Sequence, residues 1–351
     1  MKLNRNNSIL SGSSFSNISD IVYSQFISKE EYEEKEINKN IILYKEKDYL
    51  LYKLLDFEIY ENAVIFCNNL ALKSLFEDLN KINNFSNIKL ITHQTDMPID
   101  KNLFDLKPNC ISKWYSANVD YQHNDLVPIP LGISNNFQLD QLNSSDLTFE
   151  TVFKKNELKP NIYVNFKIST NFKEREELYK HFSEKSWATV DTPTLSINEY
   201  KKKLANSSFI LCPWGNGIDT HRLWESLYYG KIPITKSHKT YSAAEGLPVL
   251  FVEDYKAINQ DLLEQFIDEL SEEKINYKKL DINSWINTIK STMDTNNKEF
   301  HIRESLVSNL LFKLKFNLTK KSKSKLKVFL FYYKQLKKLP KKINSLFKEL
   351  K

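Results

Sequence analysis

Twice along the chain, apolar runs too short for helices alternate with stretches whose apolar residues recur every three or four positions. Few folds other than a parallel α/β sheet accommodate that alternation. In the first series, residues 62–67 and 88–92 read as buried strands on either side of a helix over 70–82, with further strands over 110–116 and 126–133. Pro128 and Pro130 place the last of these at a sheet edge or strand end. The second series runs strand 161–166, helix 173–183, strand 187–190, helix 197–205, strand 209–212, helix 220–229 and strands 232–235 and 249–252. Helices over 259–270 and 282–293 follow.

Two such series in 351 residues suit two packed domains. The expected division is a polar, loose or partly helical lead-in over 1–35, an N-terminal α/β domain over 36–140 and a linker over 141–159. A C-terminal α/β domain over 160–300 and a helical tail over 301–351 complete it.

Charge is concentrated at one end. Between Leu318 and Lys351 twelve Lys face one Glu, so a net charge of +6 for the whole chain leaves the remainder mildly acidic. A basic surface for nucleic acid is therefore not expected of the folded part. In the tail, Leu336, Leu339, Ile343, Leu346, Phe347 and Leu350 recur at helical steps with lysines opposite, beside the cluster 328–333. Such a basic amphipathic helix suits an anionic membrane surface, each Lys there adding up to ~1 kcal/mol. The first residues carry no apolar core of signal-peptide length and no stretch reaches the ~20 apolar residues of a membrane span, so a cytoplasmic, peripheral location is expected. Three cysteines without metal-ligand spacing fit a reducing compartment.

The segment 208–235 (SFILCPWGNGIDTHRLWESLYYGKIPIT) carries the chemistry. A buried strand ends at Pro213, a loop bearing Gly215 and Gly217 follows, and Asp219 or Thr220 caps a helix that Gly230 ends. Glycines there let backbone amides approach a ligand, and the helix start offers N–H donors suited to a diphosphate. Arg222 and Glu225, three apart, share one side of the helix. A guanidinium can clamp phosphate and a carboxylate can accept from ribose hydroxyls. The same spacing is also that of an ordinary intrahelical ion pair.

The run CPWGNGIDTHRLWESLYYGKIPI is similar to the C-terminal signature of exostosin-like glycosyltransferases and their bacterial relatives in surface-polysaccharide synthesis. Fainter likeness extends from Ile88 to Val252, in Thr92-His-Gln-Thr-Asp96-Met-Pro98, Trp114-Tyr-Ser-Ala-Asn118, Pro128-Ile-Pro-Leu-Gly132 and Tyr163-Val-Asn-Phe166. The resemblance implies a GT-B fold, two Rossmann-like domains facing a cleft, with a nucleotide-sugar donor on the C-terminal domain and no obligatory metal or other cofactor. It places Arg222 on the donor phosphates, Glu225 on the ribose, and Gly215, Asn216 and Gly217 in the loop facing the donor, with Asp219 and Thr220 at the helix start. Relatives often carry Arg where this chain has Trp214, so a phosphate contact is either lost or supplied by another cation such as Lys167, or the indole stacks instead on base or sugar. No Asp-x-Asp pair occurs, in keeping with a metal-free site.

An inverting transfer needs a base for the acceptor hydroxyl. Asp96 is the preferred residue, just after the strand 88–92, with His93 as second choice or orienting partner. The expected acceptor is a glycan or lipid-linked glycan. Two other readings are a related transferase moving another group, such as pyruvyl, onto a glycan, and a non-catalytic membrane-associated scaffold.

Overall fold

The computed structural model describes residues 8–82, 85–138, 141–147, 153–290, 299–303 and 313. The basic helix expected in the tail lies outside the described residues.

The first sheet has seven strands. β1 (Ile21–Ser28), β2 (Asn40–Lys45) and β3 (Tyr49–Leu54) precede β5 (Val64–Asn68), β6 (Ile88–His93), β7 (Ile111–Ser116) and β8 (Leu126–Pro128), with β4 (Asp56–Tyr60) lying outside it. Their order is β2-β3-β1-β5-β6-β7-β8. β1, β5, β6, β7 and β8 run parallel, while β3 pairs antiparallel with both β1 and β2. β5 and β6 are buried along their whole length, as central parallel strands covered on both faces must be.

The second sheet is wholly parallel. β9 (Ile162–Val164), β10 (Ala188–Val190), β11 (Phe209–Leu211), β12 (Ile232–Lys236) and β13 (Leu250–Val252) stand in the order β10-β9-β11-β12-β13. After β9 the chain adds β10 on one side and then crosses to β11 on the other, so the β9–β11 boundary is the point where the winding reverses. In open α/β sheets, crevices for ligands form outside the strand ends at that boundary. Both sheets are of the Rossmann-like α/β kind. A last strand, β14 (Glu299–Arg303), returns from the far end of the sequence to pair antiparallel with β4.

Helices follow the apolar spacing. α1 (Gly12–Asn17) and α2 (Lys29–Glu34) are single short turns flanking β1. α3 (Leu72–Leu79) buries Leu72, Leu75, Phe76 and Leu79, one face at three- and four-residue steps. α4 (Lys101–Phe104) is short, whereas α5 (Phe172–Ser183) buries Arg175, Leu178 and Phe182 on one stripe. After α6 (Ile197–Asn206) comes α7 (His221–Tyr228), buried continuously from Leu223 to Tyr228. A helix buried on nearly every side lies inside a protein, and the side chains of α7 join a core cluster fed by both sheets. α8 (Gln260–Glu269) and α9 (Ile282–Ile289) close the second half. Among the described residues no helix is long and apolar enough to cross a membrane.

The reading of 1–35 as a loose lead-in is corrected at β1, which forms an interior strand of the first sheet. The segment before it is strapped across the other half. The Tyr228 hydroxyl accepts from the Leu10 amide at 2.8 Å and donates to the Leu280 carbonyl at 2.7 Å, and the Ile282 amide donates to the Ser8 carbonyl at 2.9 Å. Gly132 permits this strap: its φ is +68°, and a Cβ there would stand 2.2 Å from the Leu10 carbonyl oxygen.

Candidate functional site

A cavity of about 710 Å³ opens between the strand ends of the two sheets. All ten site residues expected from the sequence line it: His93 and Asp96 from the end of β6, Lys167 after β9, and Gly215, Asn216, Gly217, Asp219, Thr220, Arg222 and Glu225 from the loop and helix after β11. The second-sheet contributors leave from β9 and β11, the two strands at the winding reversal.

The glycine loop is held from behind by Arg175, which no local sequence signal identified. Its guanidinium donates to the carbonyls of Pro213 (2.7 Å), Trp214 (3.0 Å) and Lys167 (3.0 Å) and to Thr170 Oγ1 (2.6 Å), and it lies over the Phe166 ring. Every arm of the fork is used, so Arg175 shapes the loop instead of binding a ligand. Burial, with Arg222 nearby, lowers its affinity for the proton to a pKa of about 10. Gly215 fits because a Cβ would meet the Arg175 Nη2 at 3.0 Å.

Across the cleft, Asn118 clamps the loop to the first sheet. Its Oδ1 accepts from the amides of Ile218 (3.0 Å) and Asp219 (2.9 Å), while its Nδ2 donates to the Thr95 carbonyl (3.1 Å). Gly217 packs there so closely that a Cβ would lie 3.2 Å from the Asp96 Cα.

Asp219 proves to be a tie between the halves. Its carboxylate accepts from the Leu131 amide (2.9 Å), the Thr220 amide (2.8 Å) and the Trp224 indole (2.9 Å). Burial pushes its pKa up to about 7 against the pull of these donors. With its oxygens engaged by the protein, Asp219 supports the loop and is corrected as a direct donor ligand.

Thr220 occupies the cap position of α7 but makes no side-chain cap hydrogen bond, and its Oγ1 is buried with no partner among the described residues. The Arg222 Nε is in the same condition. Buried polar atoms left unpaired cost about 1–3 kcal/mol each, and these two line one cavity. Burial works against the charge on Arg222, but Tyr200 and Glu225 outweigh it and hold the guanidinium firmly protonated. Its carbon centre stands 5.8 Å from the Tyr200 ring. Glu225 accepts from the Tyr200 hydroxyl at 2.6 Å. Among the described residues Arg222 and Glu225 make no direct salt bridge, although the carboxylate's charge reaches the guanidinium.

His93 is not available as a base. It is buried, its Nδ1 accepts from the Gln94 amide at 2.7 Å, and its Nε2 contacts the Pro130 carbonyl at 3.1 Å. A carbonyl can only accept, so Nε2 carries the proton and no lone pair is free. Burial drives the imidazole down to about 4. Asp96 is exposed at the cavity mouth. Trp214 lies outside the cavity lining, its ring edge-on to His238 at 5.3 Å, which corrects the expectation that it stacks on a base or sugar.

His221, the first residue of α7, also lines the cavity. Its Nδ1 lies 2.8 Å from the Gly132 carbonyl, which fixes the proton on Nδ1 and the lone pair on Nε2. No described residue bonds that Nε2. The deciding partner is 89 residues away in sequence, beyond the reach of local spacing.

Residues 134–305 match the family model described as the RXYLT1 C-terminal domain, a xylosyltransferase family of exostosin-like kind. The match supports a glycosyltransferase-type function and spans the whole second sheet with its glycine loop and α7. No curated protein matches the chain.

Proposed function

We propose that the chain is a GT-B glycosyltransferase, holding a nucleotide-sugar donor against the second sheet and taking an acceptor hydroxyl from the side of the first. The observation that carries this reading is the pair of unpartnered atoms, Thr220 Oγ1 and Arg222 Nε, at the start of α7 in the wall of the interdomain cavity. A diphosphate would satisfy both and would meet the partial positive charge of the helix start. Gly215, Asn216 and Gly217 would face the donor, Glu225 would accept from ribose hydroxyls through the oxygen not given to Tyr200, and Lys167 would add a cation after β9.

His221 is the base this geometry supports, in place of His93 and ahead of Asp96. As the acceptor oxygen bonds to the anomeric carbon, its proton passes to His221 Nε2. The bond from that carbon to the diphosphate oxygen breaks, and its electron pair leaves with the nucleotide, where Arg222 and the α7 amides receive the charge. Attack from the face opposite the leaving group inverts the anomeric carbon. The lack of an Asp-x-Asp pair supports transfer without an obligatory metal. The lysine-rich tail supports a place on the inner face of a membrane, beside a lipid-linked glycan of a surface polysaccharide.

The test is a thermal-shift screen against UDP-, GDP-, CMP- and dTDP-sugars. A ligand at ~100 times its Kd adds about 2.7 kcal/mol and raises the melting temperature visibly. No shift with any nucleotide-sugar would reject the reading.

A further inference from the structure

The cavity has two chemically different walls. All of its lysine and arginine lining, Lys167, Arg175 and Arg222, comes from the second half, and among the described residues the first-half wall has neither residue type. That wall instead carries three aromatic rings, Phe26 from β1, Tyr49 from β3 and Phe137. They touch in series: Phe26 and Tyr49 have ring centres 5.9 Å apart, Tyr49 and Phe137 5.3 Å. The platform is rigid where it begins, because the Gln94 side chain bonds both the amide (2.7 Å) and the carbonyl (3.0 Å) of Phe26.

Three side-chain amides of the same wall are oriented alike. Asn135 gives its oxygen to the Ser13 amide (2.8 Å) and hydroxyl (2.9 Å), Gln138 gives its oxygen to the Asn135 amide (3.3 Å), and Gln141 accepts from the Ser134 hydroxyl. Each oxygen is thereby pinned within the protein. Each NH2 group is left as a donor that no described residue takes up, and all three residues line the cavity.

We infer that this wall is the acceptor subsite and that it binds a neutral sugar ring. The C–H face of such a ring, which carries partial positive charge, suits the negative face of an aromatic ring. Hydroxyl oxygens around its edge suit neutral N–H donors. An anionic group would call for the cations that this wall lacks, and a lipid chain would leave three amides unpaired. The inference rests on the glycosyltransferase reading for its role and goes beyond it in naming the acceptor's recognised part.

Saturation-transfer NMR with the full chain tests it, using the methyl and hexyl β-glycosides of xylose, glucose and galactose. Saturation from the protein should fall on ring protons of at least one methyl glycoside. It should drop at least fivefold in Phe137→Ala, persist in Phe137→Tyr, and drop in Gln138→Leu. The nucleotide thermal shift should survive in all three variants, which also reports that they fold. Ring saturation absent from every glycoside, confined to hexyl chain protons, or unchanged in Phe137→Ala would overturn the subsite while leaving a positive nucleotide shift intact. Ring saturation without any nucleotide shift would keep the sugar site and remove the donor reading instead.

Discussion

The Tyr200 hydroxyl lies 2.6 Å from Glu225 Oε2, joining α6 to α7 and fixing one oxygen of a buried carboxylate in the cavity wall. Burial, followed by the neighbouring Glu225, raises the phenol well above its ordinary value, so Tyr200 remains a donor. Tyr200→Phe removes one hydrogen bond to a charged acceptor and is expected to cost about 1.5–3 kcal/mol in urea denaturation. The same change frees Glu225 to rotate, and nucleotide affinity should fall with it.

Arg175→Ala should be the most damaging change to the site's frame. It leaves the buried Pro213 carbonyl without its donor at about 1–3 kcal/mol, takes one of two donors from the Trp214 and Lys167 carbonyls, which keep Asn171 Nδ2 and Thr170 Oγ1, and removes the buried arginine stem from its packing. A loss of ~3–5 kcal/mol in the urea midpoint analysis is expected, and Arg175→Lys, with one point charge in place of a planar fork, should recover little of it.

Much of this frame was legible from spacing. Every strand and helix expected between 62 and 290 is present with its ends moved by a few residues. The strands β1 to β4 were not, and for β1 and β3 the reason lies in their polar residues. β1 buries Ser24 and Gln25, with Ser24 Oγ bonded to the Tyr52 carbonyl at 2.6 Å, and β3 buries Lys53, whose Nζ bonds Ser74 Oγ at 2.7 Å. Buried polar groups satisfied by distant partners erase the apolar run on which a strand is read. The same holds for the site. Arg222, Glu225 and the glycines share one local motif, whereas Arg175 sits among charged neighbours in FKEREELYKHFS, and the carbonyls it bonds at Pro213 and Trp214 lie nearly forty residues away.

His93 gives stability a pH dependence. Its imidazole falls from an ordinary 6.5 to about 4 in the folded chain, so between those values the unfolded chain binds more protons. The stabilisation is fully present above about pH 6.5 and is lost as pH drops through 4. Urea unfolding at pH 4.5 and 7.5 should therefore show a drop that is smaller in His93→Gln by roughly 2.5 kcal/mol.

His221→Gln separates chemistry from binding. Transfer, followed as nucleotide release, should fall by roughly 10²–10⁴, while the nucleotide still raises the melting temperature. If Asp96→Asn loses transfer by that factor and His221→Gln keeps it, the base is Asp96.

The donor site at the start of α7 is tested most directly by calorimetric titration of the best-shifting nucleotide-sugar into the wild-type chain and Arg222→Ala. The Arg222 Nε has no hydrogen bond to lose, but Glu225 and Tyr200 lose the guanidinium beside them, so the urea midpoint of the variant should fall and is measured alongside to show that the chain still folds. A charge-assisted phosphate contact is worth about 1.5–3 kcal/mol, so affinity should weaken by at least tenfold. Equal affinity in the two proteins would contradict the placement of the donor phosphates on Arg222.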